Sequence, residues 1–416
     1  MDNSTRKHVA EIIDLHTGDE PNGDHAPEIG GTPPTKWKPS IDAIIDVLSE
    51  NEQLRGVFAF DEFRGRVVLK IRPPFVVGGS DFSSRPITDT DVTRTAAWIG
   101  RRYGAAPAHG VLQQAINVVA DENGFDVLIE HLRSLTWDGV VRTDKWLTTY
   151  AGVKETEYSR AVGRALLLGA VGRGLFPGDK YDHVIVIESE QGAGKSSLVR
   201  LLGGEFAGDE LGDLRDTDSK IRLRGCWVLE LPELEVFERN KAAALKRFFT
   251  QTEDHYRVPY GRHARKIPRR TVFVGTTNSE KYLTDQSGNR RYLPIRAGKI
   301  DLDAFAHDRD QLIAEAVANC TPGSWVLSPQ VERLAAIETA KRMVVDEFEE
   351  RVRVLAKDLD ETSTEAVRSA LGCASRLQEK SETTRIGVIL RGMGFKREQL
   401  TGGKRVYRRA KPGTEA

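Results

Sequence analysis

The sequence predicts an α/β protein of several domains, and three observations carry this prediction. The chain has 416 residues, a buried-type strand at 184–187 opens an alternation of strands and helices that lasts to about residue 318, and helical patterns dominate on both sides. At roughly 100 to 200 residues per domain, this length predicts about two to four domains. Hydrophobic residues make up 39% of the chain, which is enough for separate buried cores.

Charge and cysteine content restrict the cellular setting. The 61 Lys and Arg residues balance 61 Asp and Glu residues, and no apolar run approaches the roughly 18 to 20 residues that cross a bilayer. The N-terminus lacks a basic segment followed by an apolar core, so no secretory signal is expected. Three distant cysteines, Cys226, Cys320 and Cys373, predict neither a disulfide framework nor a metal site. We therefore expect a soluble cytoplasmic protein without a membrane partner.

Composition and periodicity divide the chain into five segments. Residues 1–38 are rich in Gly and Pro and poor in large apolar side chains, which predicts a disordered tail. Residues 39–180 predict a mainly helical N-terminal module with a short hairpin, because helical spacing recurs there around two strand-like runs that meet at Arg64-Gly65. The remaining segments are an α/β core at 181–328, a helical linker at 329–362 and a small basic unit at 363–411.

The most informative motif joins a strand, a glycine-bearing loop and a helix. Phosphoryl oxygens need closely approaching backbone N–H donors, so glycines in such a loop favour phosphate binding. Lys195 would then reach the β and γ phosphates of a nucleotide, and the Ser196 hydroxyl would bind Mg²⁺. Ser189 stands where the usual pattern has its first glycine. An ordinary βα turn with an exposed lysine is the alternative. The predicted nucleotide-binding residues are Gln191, Gly192, Ala193, Gly194, Lys195, Ser196 and Ser197.

Two carboxylates and one amide follow later strands of the core. Glu230 ends an apolar strand and Glu233 lies three residues on, so one would hold Mg²⁺ while the other polarises the attacking water. Either assignment is open, and two surface glutamates are the alternative. Asn278 follows the strand at 271–275 and could orient a water or contact the γ phosphate. A single Asn at a strand end is otherwise a common turn residue.

Two adjacent arginines, Arg290 and Arg291, lie in the polar loop at 282–292. Such residues can form a solvated surface, or they can act as an arginine finger that places a planar, permanent charge on a transferring phosphoryl group. Because such fingers commonly act across a subunit boundary, this loop suggests a homo-oligomer.

In this order, the motifs resemble the virulence-associated E family of phage and genomic-island proteins, which is related to superfamily 3 helicases. The resemblance runs from about Trp137 to Ala318. It implies an AAA+-like P-loop ATPase core that uses ATP and Mg²⁺, a hexameric ring, and ATP-driven work on DNA in the cytoplasm of a bacterial host. A primase or other replication proteins are possible partners, although the chain shows no primase pattern itself. The matching pieces are WDG, PGDKYDHVIVIESEQGAGKSS, WVLELPEL, LKRFFTQTEDHYRVPYGR, VFVGTTN and the D-x-x-G-N-R-R run from Asp285.

A basic insertion at 256–270 precedes the strand that ends near Asn278. Six of its fifteen residues are Lys or Arg and none is acidic, and Gly261 near its centre suggests a hairpin tip. Positive charge interleaved with aromatic rings suits single-stranded DNA, because it contacts phosphates and stacks on bases. A basic surface loop, or pairing with the acidic run at 301–310, is the alternative. The predicted DNA-binding residues here are Arg257, Tyr260, Arg262, His263, Arg265 and Lys266.

The C-terminal unit carries a second basic region. Residues 385–411 contain nine Lys or Arg residues and one acid, and a helix at about 381–393 is followed by a hairpin that turns at Gly402-Gly403. A helix plus a basic hairpin resembles a winged helix, which implies contact of Lys404 and Arg405 with double-stranded DNA. A solubilising C-terminal cap is the alternative.

These patterns favour an ATP-dependent DNA helicase or translocase that acts in phage or mobile-element DNA replication. The alternative is a nucleotide-controlled DNA-binding initiator or regulator without unwinding activity. A small-molecule kinase would share the phosphate loop, but it would not explain two separate basic segments.

Overall fold

The computed structural model describes most of the chain, and the tail predicted at 1–38 lies almost entirely outside the described residues. Two compact units are present: one contains the described residues up to 60 together with 67–124, and the other contains 61–66 and the described residues from 125 onward. The described ranges are 37–76, 82–208, 211, 217–234, 244–257, 264–283, 289–344, 347–372, 379–399 and 405–409.

The first unit has a helical core and a small sheet. Helix α2 (Asp89–Tyr103) begins at a capping box in which Thr88 and Asp91 exchange side-chain and backbone hydrogen bonds, and it ends at Gly104 in the left-handed conformation. Asp91 also accepts two hydrogen bonds of 2.7 Å from the Arg85 guanidinium, which fixes the start of the helix. The elements are α1 (Ile41–Glu50), β1 (Phe58–Asp61), β2 (Arg66–Leu69), β3 (Arg85–Pro86), α2 (Asp89–Tyr103) and α3 (His109–Glu122).

The second unit is built on a parallel sheet, which confirms the α/β prediction. The first part of this unit comprises α4 (Val127–Ser134), α5 (Trp146–Ala151), α6 (Glu157–Leu175), β4 (Val184–Glu188), α7 (Lys195–Gly203), β5 (Ala207–Gly208), α8 (Thr217–Arg222) and β6 (Val228–Leu231). It continues with β7 (Glu253–Arg257), β8 (Ala264–Pro268), β9 (Val272–Thr277), β10 (Tyr292–Arg296), α9 (Leu302–Asn319) and α10 (Pro329–Lys341). Five strands form the sheet in the order β10-β4-β9-β6-β5, and every pair is parallel.

Apolar side chains cover both faces of this sheet, as expected for a parallel sheet with continuous hydrophobic strands. Successive side chains of a strand point to opposite faces, so Ile185 and Ile187 pack in one core with the helices, while Val184 and Val186 pack in a second core. The first core contains residues of α4, α5 and α6, which the sequence analysis placed in the N-terminal module. These helices therefore help to fix the position of β4 and of the loop that follows it.

Strands β7 and β8 form a separate antiparallel hairpin. Arginine side chains fix its root, which is the end at Glu253 and Pro268. Arg269 is 2.9 Å from Asp254 and lies over the Phe248 ring, while Arg270 forms an ion pair with Asp126. The Arg173 guanidinium donates a hydrogen bond of 2.6 Å to the Thr271 carbonyl oxygen. Burial lowers the pKa of Arg173 to about 9. These charges therefore hold the hairpin to the sheet.

The C-terminal part of the second unit has its own core, in which Val352, Val367, Ile386, Leu390 and Phe395 are buried together. Its short sheet has the order β11-β13-β12, and both pairs are antiparallel. Helix α12 (Thr364–Ala370) ends two residues before Gly372, which takes the left-handed conformation and turns the chain. The elements are α11 (Glu347–Ala356), β11 (Glu361–Thr362), α12 (Thr364–Ala370), α13 (Glu379–Gly392), β12 (Phe395–Gln399) and β13 (Arg405–Arg409).

Candidate nucleotide and nucleic-acid sites

A cavity of about 380 Å³ lies at the carboxyl end of the parallel sheet. In open α/β sheets, ligands bind beyond the carboxyl ends of the strands, because loops there surround a shared crevice. The loop after β4 meets the ends of β6 and β9, so the structure brings together residues that are far apart in the sequence. The cavity is lined by residues 191–197, Pro232, Glu233, Thr276, Thr277 and Asn278.

The loop between β4 and α7 depends on its glycines. Gly192 and Gly194 have φ values of 80° and 92°, which L side chains rarely adopt. Gly194 is also the N-cap of α7 and supplies no side-chain acceptor, so the first N–H groups of the helix keep their capacity to bind an anion. The loop therefore has the backbone conformation and the donors that a phosphate group requires.

The Lys195 ammonium lies inside this loop, and its side chain is largely buried. Its Nζ donates to the carbonyl oxygens of Ser189 and Glu190, at 3.0 and 2.9 Å, and to Oδ1 of Asn278 at 2.7 Å. It also lies 3.1 Å from the Ser189 hydroxyl. The serine that departs from the usual glycine pattern therefore supplies acceptors that orient the lysine.

Glu230 lies behind the cavity wall and contacts two residues that line it, Ser196 and Thr276. Its Oε1 accepts hydrogen bonds of 2.6 Å from Ser196 and 2.6 Å from Thr276, and the carboxylate is buried. Hydroxyl and carboxylate oxygens are the hard ligands that suit Mg²⁺, which usually completes its shell with water and substrate phosphates. Ser196 and Glu230 therefore fit the predicted ion. Thr276 was missed as a partner of Glu230 because a threonine within an apolar strand has no distinctive sequence signal.

Glu233 lines the same cavity but differs from Glu230 in its environment. It is exposed, and its φ of 50° places it in the left-handed region, which is uncommon for a residue other than Gly, Asn or Asp. Glu230 belongs to a strand, whereas Glu233 follows Pro232 in a turn. The structure therefore distinguishes a buried carboxylate beside Ser196 from an exposed carboxylate at the cavity wall.

Arg290 and Arg291 lie away from this cavity. They precede β10, whose first residue Tyr292 pairs with Val184 at the start of β4, whereas the phosphate loop follows the end of that strand. At about 3.3 Å per residue, the two ends of β4 are about 13 Å apart. Both arginines line a different cavity of about 370 Å³, where Arg291 Nε is 3.9 Å from Asp182.

The hairpin formed by β7 and β8 presents part of the predicted DNA-binding set. Arg257, Arg265 and Lys266 are exposed, and Lys266 Nζ is 3.3 Å from Glu253 on the opposite strand. Tyr256, by contrast, is buried, although it pairs with Arg265. The predicted residues Tyr260, Arg262 and His263 lie outside the described residues.

The C-terminal basic region is only partly available for a ligand. Arg405 at the start of β13 is exposed, and Lys404 lies outside the described residues. Arg408 pairs with Glu361 at 2.6 Å and with Glu398 at 3.0 Å. Arg409 donates to the carbonyl oxygens of Ala356 and Lys357. The last two arginines of β13 therefore stabilise the small unit itself.

A buried polar cluster just before the phosphate loop was missed by sequence reasoning. Arg342 donates hydrogen bonds of 2.7 and 2.8 Å to the two carboxylate oxygens of Glu188. The Tyr282 hydroxyl donates a hydrogen bond of 2.8 Å to the same carboxylate. Burial and the Glu188 charge raise the pKa of Tyr282 well above its usual value. Arg342 and Glu188 are 154 residues apart, so no local spacing could have connected them.

Among the solved structures that this chain is similar to are three of the NrS-1 C-terminal region. An apo structure has 11% identity and a TM-score of 0.36, with 84% of this chain and 95% of that chain covered. An A-form apo structure has 11% identity and a TM-score of 0.42, with coverage of 89% and 99%. A second A-form apo structure has 12% identity and a TM-score of 0.39, with coverage of 84% and 95%. No curated protein matches the chain.

None of the helices in the described residues is both long and apolar enough to span a membrane. The virulence-associated protein E-like domain matches residues 132–344, just over half of the chain. This range contains the phosphate loop, the strands that carry Glu230 and Asn278, the β7–β8 hairpin and Arg342. The chain therefore belongs to the family of proteins with a virulence-associated protein E-like domain.

Proposed function

We propose that the protein is an ATP-dependent DNA helicase or translocase that acts in phage or mobile-element DNA replication. The observation that carries this proposal is the shared cavity in which Lys195, Glu233 and Asn278 surround the glycine loop. Such an arrangement suits a nucleoside triphosphate, because cations and backbone donors stabilise the phosphates while a carboxylate and an amide position water. The core is accordingly an AAA+-like P-loop ATPase domain.

Each cavity residue has a separate role in this proposal. When ATP binds, the Lys195 ammonium leaves the loop carbonyl oxygens and contacts the β and γ phosphates. Asn278 keeps this ammonium directed into the cavity through its hydrogen bond. Glu233, which is exposed at the cavity wall, accepts a proton from the attacking water as a general base.

Ser196 and Glu230 would hold Mg²⁺ when the nucleotide is bound. The ion would supply charge neutralisation between the β and γ phosphate oxygens. In this arrangement Thr276 orients the Glu230 carboxylate through its 2.6 Å hydrogen bond, as residues around metal ligands commonly do.

The position of Arg290 and Arg291 favours an oligomer. Because they lie at the amino end of β10 and the phosphate loop lies at the carboxyl end of β4, they are too far away to reach the γ phosphate of their own subunit. A neighbouring subunit in a ring could place them at that phosphate, as arginine fingers that act in trans do. We therefore propose a hexamer whose sites are completed by Arg290 and Arg291.

Two basic regions would contact DNA. Arg257, Arg265 and Lys266 on the hairpin would bind a single strand. The C-terminal unit has the element order helix, strand, helix, helix, strand, strand, with a three-stranded antiparallel sheet. This order supports a winged helix that contacts duplex DNA, with α13 as its recognition helix and Arg405 in the wing.

A strand-displacement assay tests this function against the alternative initiator or regulator. Wild-type protein with ATP and Mg²⁺ should release the labelled strand of a forked duplex, and Lys195→Ala should not. The matched control is Lys154→Ala, an exposed lysine outside the cavity, which should leave displacement unchanged. Binding of DNA and ATP without any displacement by the wild-type protein would favour the regulator.

A further inference from the structure

A second polar cavity, of about 340 Å³, lies at the root of the β7–β8 hairpin. Its lining combines residues of β8 with Lys220 of α8 and with Arg224, which follows that helix. Segments that are about forty residues apart in the sequence therefore meet beside the hairpin. None of these residues lines the cavity around the phosphate loop.

Positive charge dominates this second cavity. Lys220, Arg224, Arg265 and Lys266 all line it. Three acids also line it. Asp254 pairs with Arg269 and Asp126 pairs with Arg270, which leaves Glu62 as the remaining acid of the lining. Among the residues that the structure describes, no carboxylate within ion-pair distance of Lys220 or Arg265 is found.

We propose that this cavity is a phosphodiester-binding subsite, in which Lys220 and Arg224 extend the single-stranded DNA contact of the hairpin onto α8. The inference rests on the proposed function, since it names further contacts for the same DNA strand. Arg265 and Lys266 are both exposed on β8 and both line the cavity, so a DNA strand bound to the hairpin can continue into the cavity.

The geometry favours an extended nucleic-acid backbone over a free nucleotide. Lys220 lies in the last turn of α8, so the positive charge at this position comes from its side chain and not from helix N–H donors. A compact phosphate group also needs convergent backbone N–H donors, which the loop at 189–194 provides in the other cavity. Here the positive charges are instead carried by long side chains on two elements, which suits phosphates that are spaced along a strand.

Anisotropy titrations with a labelled oligo-dT test the subsite. Lys220→Ala should weaken binding about tenfold, as expected for the loss of one contact to a charged group. The logarithm of the association constant falls linearly with the logarithm of the salt concentration. Lys220→Ala should make this dependence less steep by about 0.7, because one phosphate contact is lost. Arg224→Gln should act in the same direction. Lys154→Ala is the matched control and should change neither quantity.

The comparison variant is Arg265→Ala/Lys266→Ala, which removes the hairpin contacts of the proposed function. If this variant weakens binding while Lys220→Ala and Arg224→Gln keep wild-type affinity and slope, the subsite is wrong and the proposed function stands. If wild-type protein does not bind oligo-dT at all, both fail.

Lysine acetylation followed by mass spectrometry provides a measurement that does not depend on the folding of a variant. On wild-type protein, oligo-dT should protect Lys220 and leave Lys154 reactive. Protection of Lys220 by ATP but not by oligo-dT would contradict the subsite and identify a nucleotide site. Equal protection by polyglutamate would contradict it too, because the surface would then recognise any polyanion.

Discussion

Lys195 donates a 2.7 Å hydrogen bond to Oδ1 of Asn278, which joins the phosphate loop to the carboxyl end of β9. The two residues are 83 positions apart, and the parallel pairing of β4 with β9 brings them together. The amide can hold an ammonium without neutralising it, so the lysine retains its positive charge, which the proposed function assigns to a phosphate.

Asn278→Asp should therefore impair nucleotide binding. A carboxylate at this position would pair with Lys195 and repel the phosphates, so we expect the affinity for ATP to fall about tenfold. Titration with a fluorescent ATP analogue measures this change. Asn117→Asp, on an exposed position of α3, is the control. Unchanged affinity of Asn278→Asp would show that the amide does not face the nucleotide.

Glu230→Gln should reduce turnover about 10²-fold to 10³-fold, because the amide keeps the size of the side chain but loses the charge that would hold Mg²⁺ in the proposed site. Nucleotide binding measured with EDTA should stay close to the wild-type value. A magnesium titration of ATPase activity checks this, with Glu280→Gln as a control at a side chain that is 76% exposed. A wild-type magnesium dependence in Glu230→Gln would remove this residue from the ion site.

Arg291→Ala and Lys195→Ala should complement each other when they are mixed. Each variant alone should be nearly inactive, but a mixed ring contains interfaces with an intact phosphate loop from one subunit and an intact arginine from the next. ATPase activity measured across mixing ratios should therefore rise to a maximum near equal amounts. Activity that stays at the level of the separate variants would contradict action across a subunit boundary.

Acid stability of the first unit should depend on Asp91. Hydrogen bonds from Arg85 lower the pKa of Asp91 from 3.8 to about 2. A lowered folded-state pKa stabilises the protein above the unfolded value, and this contribution is lost as the pH falls from about 4 through about 2. At about 1.4 kcal/mol per pKa unit, this contribution amounts to about 2 kcal/mol.

Asp91→Asn should therefore lower the unfolding free energy near neutral pH and flatten its decline between about pH 4 and pH 2. Chemical denaturation followed by circular dichroism across this range provides the measurement. Asp89→Asn, in the exposed first turn of the same helix, is the control. A variant that keeps the full wild-type decline below pH 4 would show that another group is responsible.

Local patterns were sufficient to predict the elements of the phosphate loop. Gly192, Gly194 and Lys195 are close in sequence, and an apolar strand followed by glycines is a local signal. The ends of β6 and β9 could also be predicted, because parallel strands place their carboxyl ends at one edge of a sheet. The α/β class followed from the same alternation of strands and helices.

Long-range partners could not be predicted in this way. The pairing of Glu188 with Arg342, and of Asp126 with Arg270, depends on how distant elements pack, which periodicity does not encode. Helix α5 was missed because its six residues are too few for a helical period to emerge. The packing of α4 to α6 on the sheet was missed since an apolar helix face does not specify its partner.

Steady-state ATPase activity with and without single-stranded DNA tests the central claim most directly. The account predicts turnover by wild-type protein that increases with DNA, a loss of about 10²-fold or more in Lys195→Ala, and wild-type turnover in Lys154→Ala. Negligible turnover of the wild-type protein under both conditions, or unchanged turnover in Lys195→Ala, would contradict the account.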